Sequence, residues 1–155
     1  MVLKIKEWLL KHLKKKESQL LLEQKQENAE KIEEIQFNEQ EDDKLYFTCF
    51  QKWMRYCFKF TAPELIDFIA NDIKPLGREK QKEFLAYGLN VCHNALFINN
   101  GLKDIVLMTE EEKAFMINFA PFVSNNNIGL ISDLFEESIN QIERNGNASL
   151  IFLDN

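Results

Sequence analysis

The chain has 155 residues with 45% apolar content and a formal net charge of −6, room for one domain with an extension and a real core. Only 5 Gly and 3 Pro leave too little turn punctuation for a many-stranded sheet, so an all-α fold is expected. Three Cys, at 49, 57 and 92, make neither a CxxC pair nor an even disulfide set. No signal peptide or 18-residue apolar run is present, so the cytoplasm is the expected compartment and the thiols are read as small hydrophobes.

The charge is unevenly laid out. Residues 1–16 carry six Lys against one Glu (+5), residues 17–43 ten acids against two Lys (−8), and 44–155 eleven bases against fourteen acids (−3). The adjoining acidic block argues against a nucleic-acid or membrane surface at the basic end, and the segment reads as a solvated helix whose two ends differ in sign.

From Val2 to Leu22, Val2, Ile5, Leu9, Leu13 and Leu20 fall at helical spacing, with Trp8 and Leu21 widening the stripe. Beyond Glu23 the stripe thins to Ala29, Ile32 and Ile35. The run "QFNEQEDDK" then breaks the pattern and reads as a linker, which divides the chain into an N-terminal helical extension or linker remnant, 1–40, and a helical domain, 41–155.

The compact part opens with "LYFTCFQKWMRYCFKF", where Phe47, Phe50, Met54 and Phe58 lie along one line with Trp53 and Cys57 beside it, the buried side of a helix. Thr61 and Glu64 have the spacing of a capping box, with Pro63 in the first turn, and predict a helix over 62–73 that buries Leu65, Phe68 and Ile69. "KPLG" ends it. The segment "REKQKEFLAYGLNVCHNALFIN" has two adjacent apolar stripes and so predicts the central helix of a bundle. Gly88 in the middle of that apolar arc predicts close approach by another helix. Asn99-Asn100-Gly101 stops that helix. "TEEE" at 109–112 is a second capping box, starting a short helix that Pro121 ends. "SNNN" offers N-caps to a last long helix with Ile128, Ile131, Phe135, Ile139 and Ile142 inward. The pattern is a bundle of about five helices preceded by one long amphipathic helix.

No catalytic constellation accompanies it. There is no phosphate-cradling GxxxxGK[ST] and no GxGxxG. His12 and His93 are the only histidines. Cys92 and His93 are neighbours that point about 100° apart on a helix, and no Cys/His spacing fits zinc. Glu110-Glu111-Glu112 belongs to a helix first turn, where carboxylates meet the positive end of the dipole. No catalytic, cofactor-binding or metal-binding residue is assigned, no cofactor is expected, and the chain is expected not to be an enzyme.

Three stretches, "FQKWMRYCFKF", "LGREKQKEFLAYGLNVCHNALFINNG" and "FAPFVSNNNIGLISDLFEESINQIERNGNASLIFLDN", resemble the C-terminal domain of the bacterial DNA polymerase III delta-prime subunits, in their Bacteroidetes form. The resemblance covers roughly Leu45 to Asn155, and its most specific pieces are Leu76 to Lys82, which contains Arg78, and Ile142-Glu143-Arg144-Asn145. It implies a helical collar domain that holds neighbouring subunits in the clamp loader, the assembly that places the sliding clamp on primed DNA. The implied partners are the delta and gamma/tau collar domains, with no direct DNA contact, no membrane, and a monomer or weak self-associate in isolation. The family's ATPase-like modules, zinc-binding module and Ser-Arg-Cys motif are absent, as in a cut piece of a longer protein or a short relative. The resemblance also implies that Gly146 ends the long helix and that Asn147 caps a last turn returning Leu150 and Phe152 to the core. Arg78, Gly88, Arg144, Asn145, Leu150 and Phe152 are thus the candidate structural or interface residues. The alternative is a non-enzymatic helical adaptor that binds an unrelated protein through its N-terminal helix.

Overall fold

The computed structural model describes residues 2–59 and 61–154. Phe60 and Asn155, which belong to the resembling stretches, lie outside the described residues. Among the described residues the chain is helical with no strand: α1 (Val2–Lys59), α2 (Ala62–Phe68), α3 (Arg78–Asn99), α4 (Glu110–Phe119), α5 (Ile128–Glu143) and α6 (Ala148–Asp154), with single turns between some of them. Two units are compact in themselves, Met1–Asp42 and Asp43–Asn155.

The first unit is helix alone, and every described residue up to Glu41 is exposed. α1 runs unbroken through 36–44, where the sequence predicted a linker. "QFNEQEDDK" contains no Gly or Pro, and its Asn and Asp cost only a few tenths of a kcal/mol each in a helix. Losing an apolar stripe removes a burial partner without supplying a stop.

In the second unit the last turns of α1 place Tyr46, Cys49, Phe50 and Trp53 in the core. The buried side therefore centres on Phe50 and Trp53, and Phe58, predicted inward, is 67% exposed and meets only the partly exposed Phe122 among the described aromatic rings. α2 is short. It widens into a π-turn over Ile69–Ile73 and tightens into a 3₁₀ turn at Lys74–Leu76, where a single helix to Ile73 was predicted. Gln81 of α3, buried, donates from Nε2 to the Ile73 carbonyl (3.1 Å) and satisfies the acceptor left by that irregular end. The Thr61–Glu64 capping box does not form. Thr61 has ψ 81°, against 166° at the true cap Thr109, so its hydroxyl is not presented to the first turn.

α3 is the central helix, burying Phe84, Leu85, Gly88, Val91, Cys92 and Ala95, and it packs chiefly along α5. A Cβ on Gly88 would sit 2.8 Å from Cε1 of Phe135 (α5) and 3.1 Å from Cε2 of Phe50 (α1), so two aromatic rings rest against its backbone. α3 ends in a Schellman motif. Gly101 at φ 82° lets Leu102 N–H reach the Phe97 carbonyl and Gly101 N–H the Ile98 carbonyl. At Thr109 the reciprocal capping box is complete: Glu112 N–H donates to Thr109 Oγ1 and Thr109 N–H to Glu112 Oε2.

α5 also ends in a Schellman motif, but its left-handed residue is Asn145 (φ 66°) rather than the expected Gly146. Gly146 N–H donates to the Gln141 carbonyl and Asn145 N–H to that of Ile142. Gly146 is held for space, since a Cβ there would lie 2.7 Å from the Gln141 carbonyl oxygen and 2.9 Å from Ile151 Cδ1. Asn147 then opens α6, its side chain accepting from Ser149 N–H. α6 buries Ile151 and Phe152, while Leu150, expected in the core, is 60% exposed. Phe152 inserts its ring between Trp53 (centroids 5.3 Å) and Phe84 (6.0 Å).

Candidate interaction surface

Within the second unit, the end of α1, the Ala120–Phe122 turn and α5 leave an apolar hollow of about 200 Å³ between them. Trp53, Met54, Phe119, Ile131, Leu134 and Phe135 are among its walls. This volume is below the ~300 Å³ at which small-molecule sites begin. Apolar side chains stand exposed around it. Phe58 and Phe122 pack edge-to-face (5.4 Å) although 67% and 56% exposed, and Leu130 and Leu134 continue the patch along α5. Large side chains that pair with each other while both face solvent form a contiguous patch rather than isolated surface hydrophobes. One buried donor near the hollow lacks a partner. Trp53, 2% exposed, lines the hollow, and its Nε1–H has no hydrogen-bond acceptor, which a buried donor ordinarily finds.

The loop under this patch is tied down by asparagines. Asn99, at the end of α3, donates from Nδ2 to the Ala120 and Val123 carbonyls. Asn127 accepts from Ser124 N–H (2.8 Å) and donates to the Phe122 carbonyl (2.8 Å). These bonds hold Phe122 at the rim. Sequence reasoning missed both roles, reading the first asparagine as part of a helix stop and the second as a cap. The i,i+4 pair of exposed Leu130 and Leu134 on α5 was the one available signal for the patch.

The six sequence-predicted residues do not form one site. Gly88 and Phe152 are buried packing positions, and Asn145 is a helix terminator. Arg78 is the exposed first residue of α3. Only Arg144 and Leu150 come together, lining an open hollow of about 320 Å³ with Gln141, Gly146, Asn147 and Ile151. Nearby, Lys82 bridges Glu79 (3.2 Å) and Glu143 (3.5 Å), linking α3 to α5. The hydrogen bond to Glu79, ahead of the charge of Glu143, holds its ammonium above the usual lysine value.

Several titratable side chains are shifted by burial. Burial pushes the Cys92 thiol up to about 12, and it also raises Cys49 and Cys57, so none is an activated thiolate. Tyr87 is raised too, first by burial and then by the Glu112 carboxylate that its hydroxyl donates to. His93 meets Ser132 Oγ at 3.3 Å, and no carboxylate among the described residues is bonded to its ring. Among the described residues there is no group of three or more His, Cys, Asp or Glu able to hold a metal ion, and no helix long and apolar enough to cross a membrane.

No protein-family model, curated protein or solved structure matches this chain.

Proposed function

We propose that residues 43–155 are a helical interaction module that acts by holding neighbouring proteins rather than by catalysis. The observation that carries this reading is the apolar hollow with its exposed rim of Phe58, Phe122, Leu130 and Leu134 and the unpartnered Trp53 Nε1–H beneath. A partner that inserts an apolar side chain relieves the cost of the exposed apolar area. The all-α bundle, with its buried thiols and central glycine, is compatible with such a module.

On the sequence resemblance, the module is the collar domain of a clamp-loader delta-prime subunit. Its partners are then the delta and gamma/tau collar domains, and its place of work is the cytoplasm. Immobilised full-length chain is expected to retain a delta or gamma/tau collar domain, and Leu134→Glu with Phe122→Glu is expected to abolish retention while far-UV circular dichroism is unchanged. Retention that is indifferent to both substitutions refutes the assignment of this surface. Absence of any retention refutes the clamp-loader reading.

A further inference from the structure

The first unit is a helix of some forty residues with no buried side chain among its described residues, and it exposes an apolar face. Leu9, Leu13, Leu20, Leu21, Ile32 and Ile35 are all about half exposed. The side-chain contacts seen there join residues four apart on the same helix: Trp8 with His12, Ser18 with the Lys14 carbonyl, and Lys31 with Glu27. An apolar stripe of this width ordinarily packs against another element.

Two patterns identify that element. The first is the repeat. Leu10, Leu21 and Ile32 are spaced by eleven, as are Leu9 and Leu20, and Val2, Leu13 and Ile35 fall on the same spacing with Gln24 between them. Eleven residues make three turns with a drift of only about 20°, so this face stays in line along the whole unit. A heptad seam through Leu9, Leu13 and Leu20 instead runs into Glu23, Glu27, Glu30 and Glu34, and a parallel dimer on that seam stacks each Glu on its own copy.

The second pattern is charge. Residues 2–16 hold six Lys against one Glu (+5), and residues 25–39 hold five Glu against two Lys (−3). A parallel pair sets each block against itself. An antiparallel pair sets each against its opposite.

We propose that the Val2–Asp42 helix pairs with the same helix of a second copy, antiparallel, about a two-fold axis between Leu20 and Leu21. In that register the turn of Leu9 and Leu10 lies level with Ile32, Leu13 level with Asn28 and Ala29, and the 2–16 block level with the 25–39 block. The contact is isologous, so it closes as a dimer rather than extending into a fibre. It uses no residue of the 43–155 surface, and it stands or falls independently of the function proposed for that unit.

Charge reversal in the full-length chain tests both the pairing and its direction. Replacing Lys11, Lys14, Lys15 and Lys16 by Glu takes the first block from +5 to −3; replacing Glu27, Glu30, Glu33 and Glu34 by Lys takes the second from −3 to +5. Sedimentation equilibrium is expected to show a wild-type dimer, and each fourfold variant is expected to dissociate at least about tenfold more readily in low salt, with the difference shrinking near 1 M NaCl. The eightfold variant restores the complementarity and is expected to recover the wild-type dissociation constant, as is an equimolar mixture of the two fourfold variants. All these positions are exposed on a single helix, and circular dichroism is expected to show unchanged helicity. A wild-type chain that stays monomeric at about 100 micromolar overturns the proposal. So does a dimer that the Lys-to-Glu variant leaves unweakened, or a dimer that the eightfold variant fails to restore.

Discussion

Phe152→Ala tests how the C-terminal helix is held. The ring is 1% exposed, tilted against Trp53 at 5.3 Å and Phe84 at 6.0 Å, so its removal leaves a void beside two large side chains that are themselves fully buried. Phe→Ala changes at such sites cost about 3–5 kcal/mol, the transfer free energy of the ring plus the cavity it leaves. For a unit of this size, each kcal/mol moves the melting temperature by about 4 °C, and a loss of roughly 12–20 °C is expected. Leu150→Ala is the internal control. With its side chain 60% exposed it is expected to cost under about 0.5 kcal/mol, although it is a large apolar residue two positions away. Thermal and urea unfolding of both variants, followed at 222 nm, gives the comparison. Similar losses for the two, or under 1 kcal/mol for Phe152→Ala, would refute the argument that α6 is anchored through one face.

Three further substitutions probe named contacts. Gly88→Ala gains about 1 kcal/mol of helix propensity, but it drives a methyl to 2.8 Å from Phe135 and 3.1 Å from the fully buried Phe50; overpacking costs about 1–3 kcal/mol, and chemical denaturation is expected to show a net loss. Thr109→Ala removes a complete capping box and is expected to cost about 1 kcal/mol, whereas Thr61→Ala, whose hydroxyl caps nothing, is expected to be neutral within about 0.5 kcal/mol in the same assay. The third concerns pH. Well below pH 9.0 the Cys92 thiol is protonated in both states and adds no pH dependence; approaching and above it the unfolded thiol ionises while the folded one, raised to about 12, does not, so stability falls with rising pH by up to about 1.4 kcal/mol per unit. Between pH 8.5 and 10 the wild type is expected to lose about 1 kcal/mol more than Cys92→Ala, and equal losses contradict the burial of that thiol.

Helix identity was legible in the sequence wherever an apolar period met a stop signal. Arg78–Asn99 followed from its double stripe and the Asn-Asn-Gly that ends it, and Glu110–Phe119 from Thr109 and Glu112. Phase was harder to read. Expecting the stop at Gly146 brings Leu150 inward, but the left-handed turn falls on Asn145 and the face buried by α6 is that of Ile151 and Phe152. One residue is 100° of helix, so a small error in the turn exposes a core position. Thr61 shows a related limit, because a cap needs the right ψ as well as the right residue types. The linker at 36–44 was misread because polar composition resembles a loop while its residues tolerate helix. Beyond the Leu130 and Leu134 pair, the patch around Phe58, Phe122 and Leu134 was not legible, since its parts come from different elements and Phe122 is held there by the asparagine bonds to the Ala120–Phe122 turn.

The proposed role is tested most directly by light scattering after size exclusion, on the full-length chain mixed with purified delta and gamma/tau collar domains at about 50 micromolar each. The account predicts a new species whose mass adds at least one partner collar to each copy of this chain, and which Leu134→Glu with Phe122→Glu returns to the separate components. Elution of every component at its own mass would contradict it.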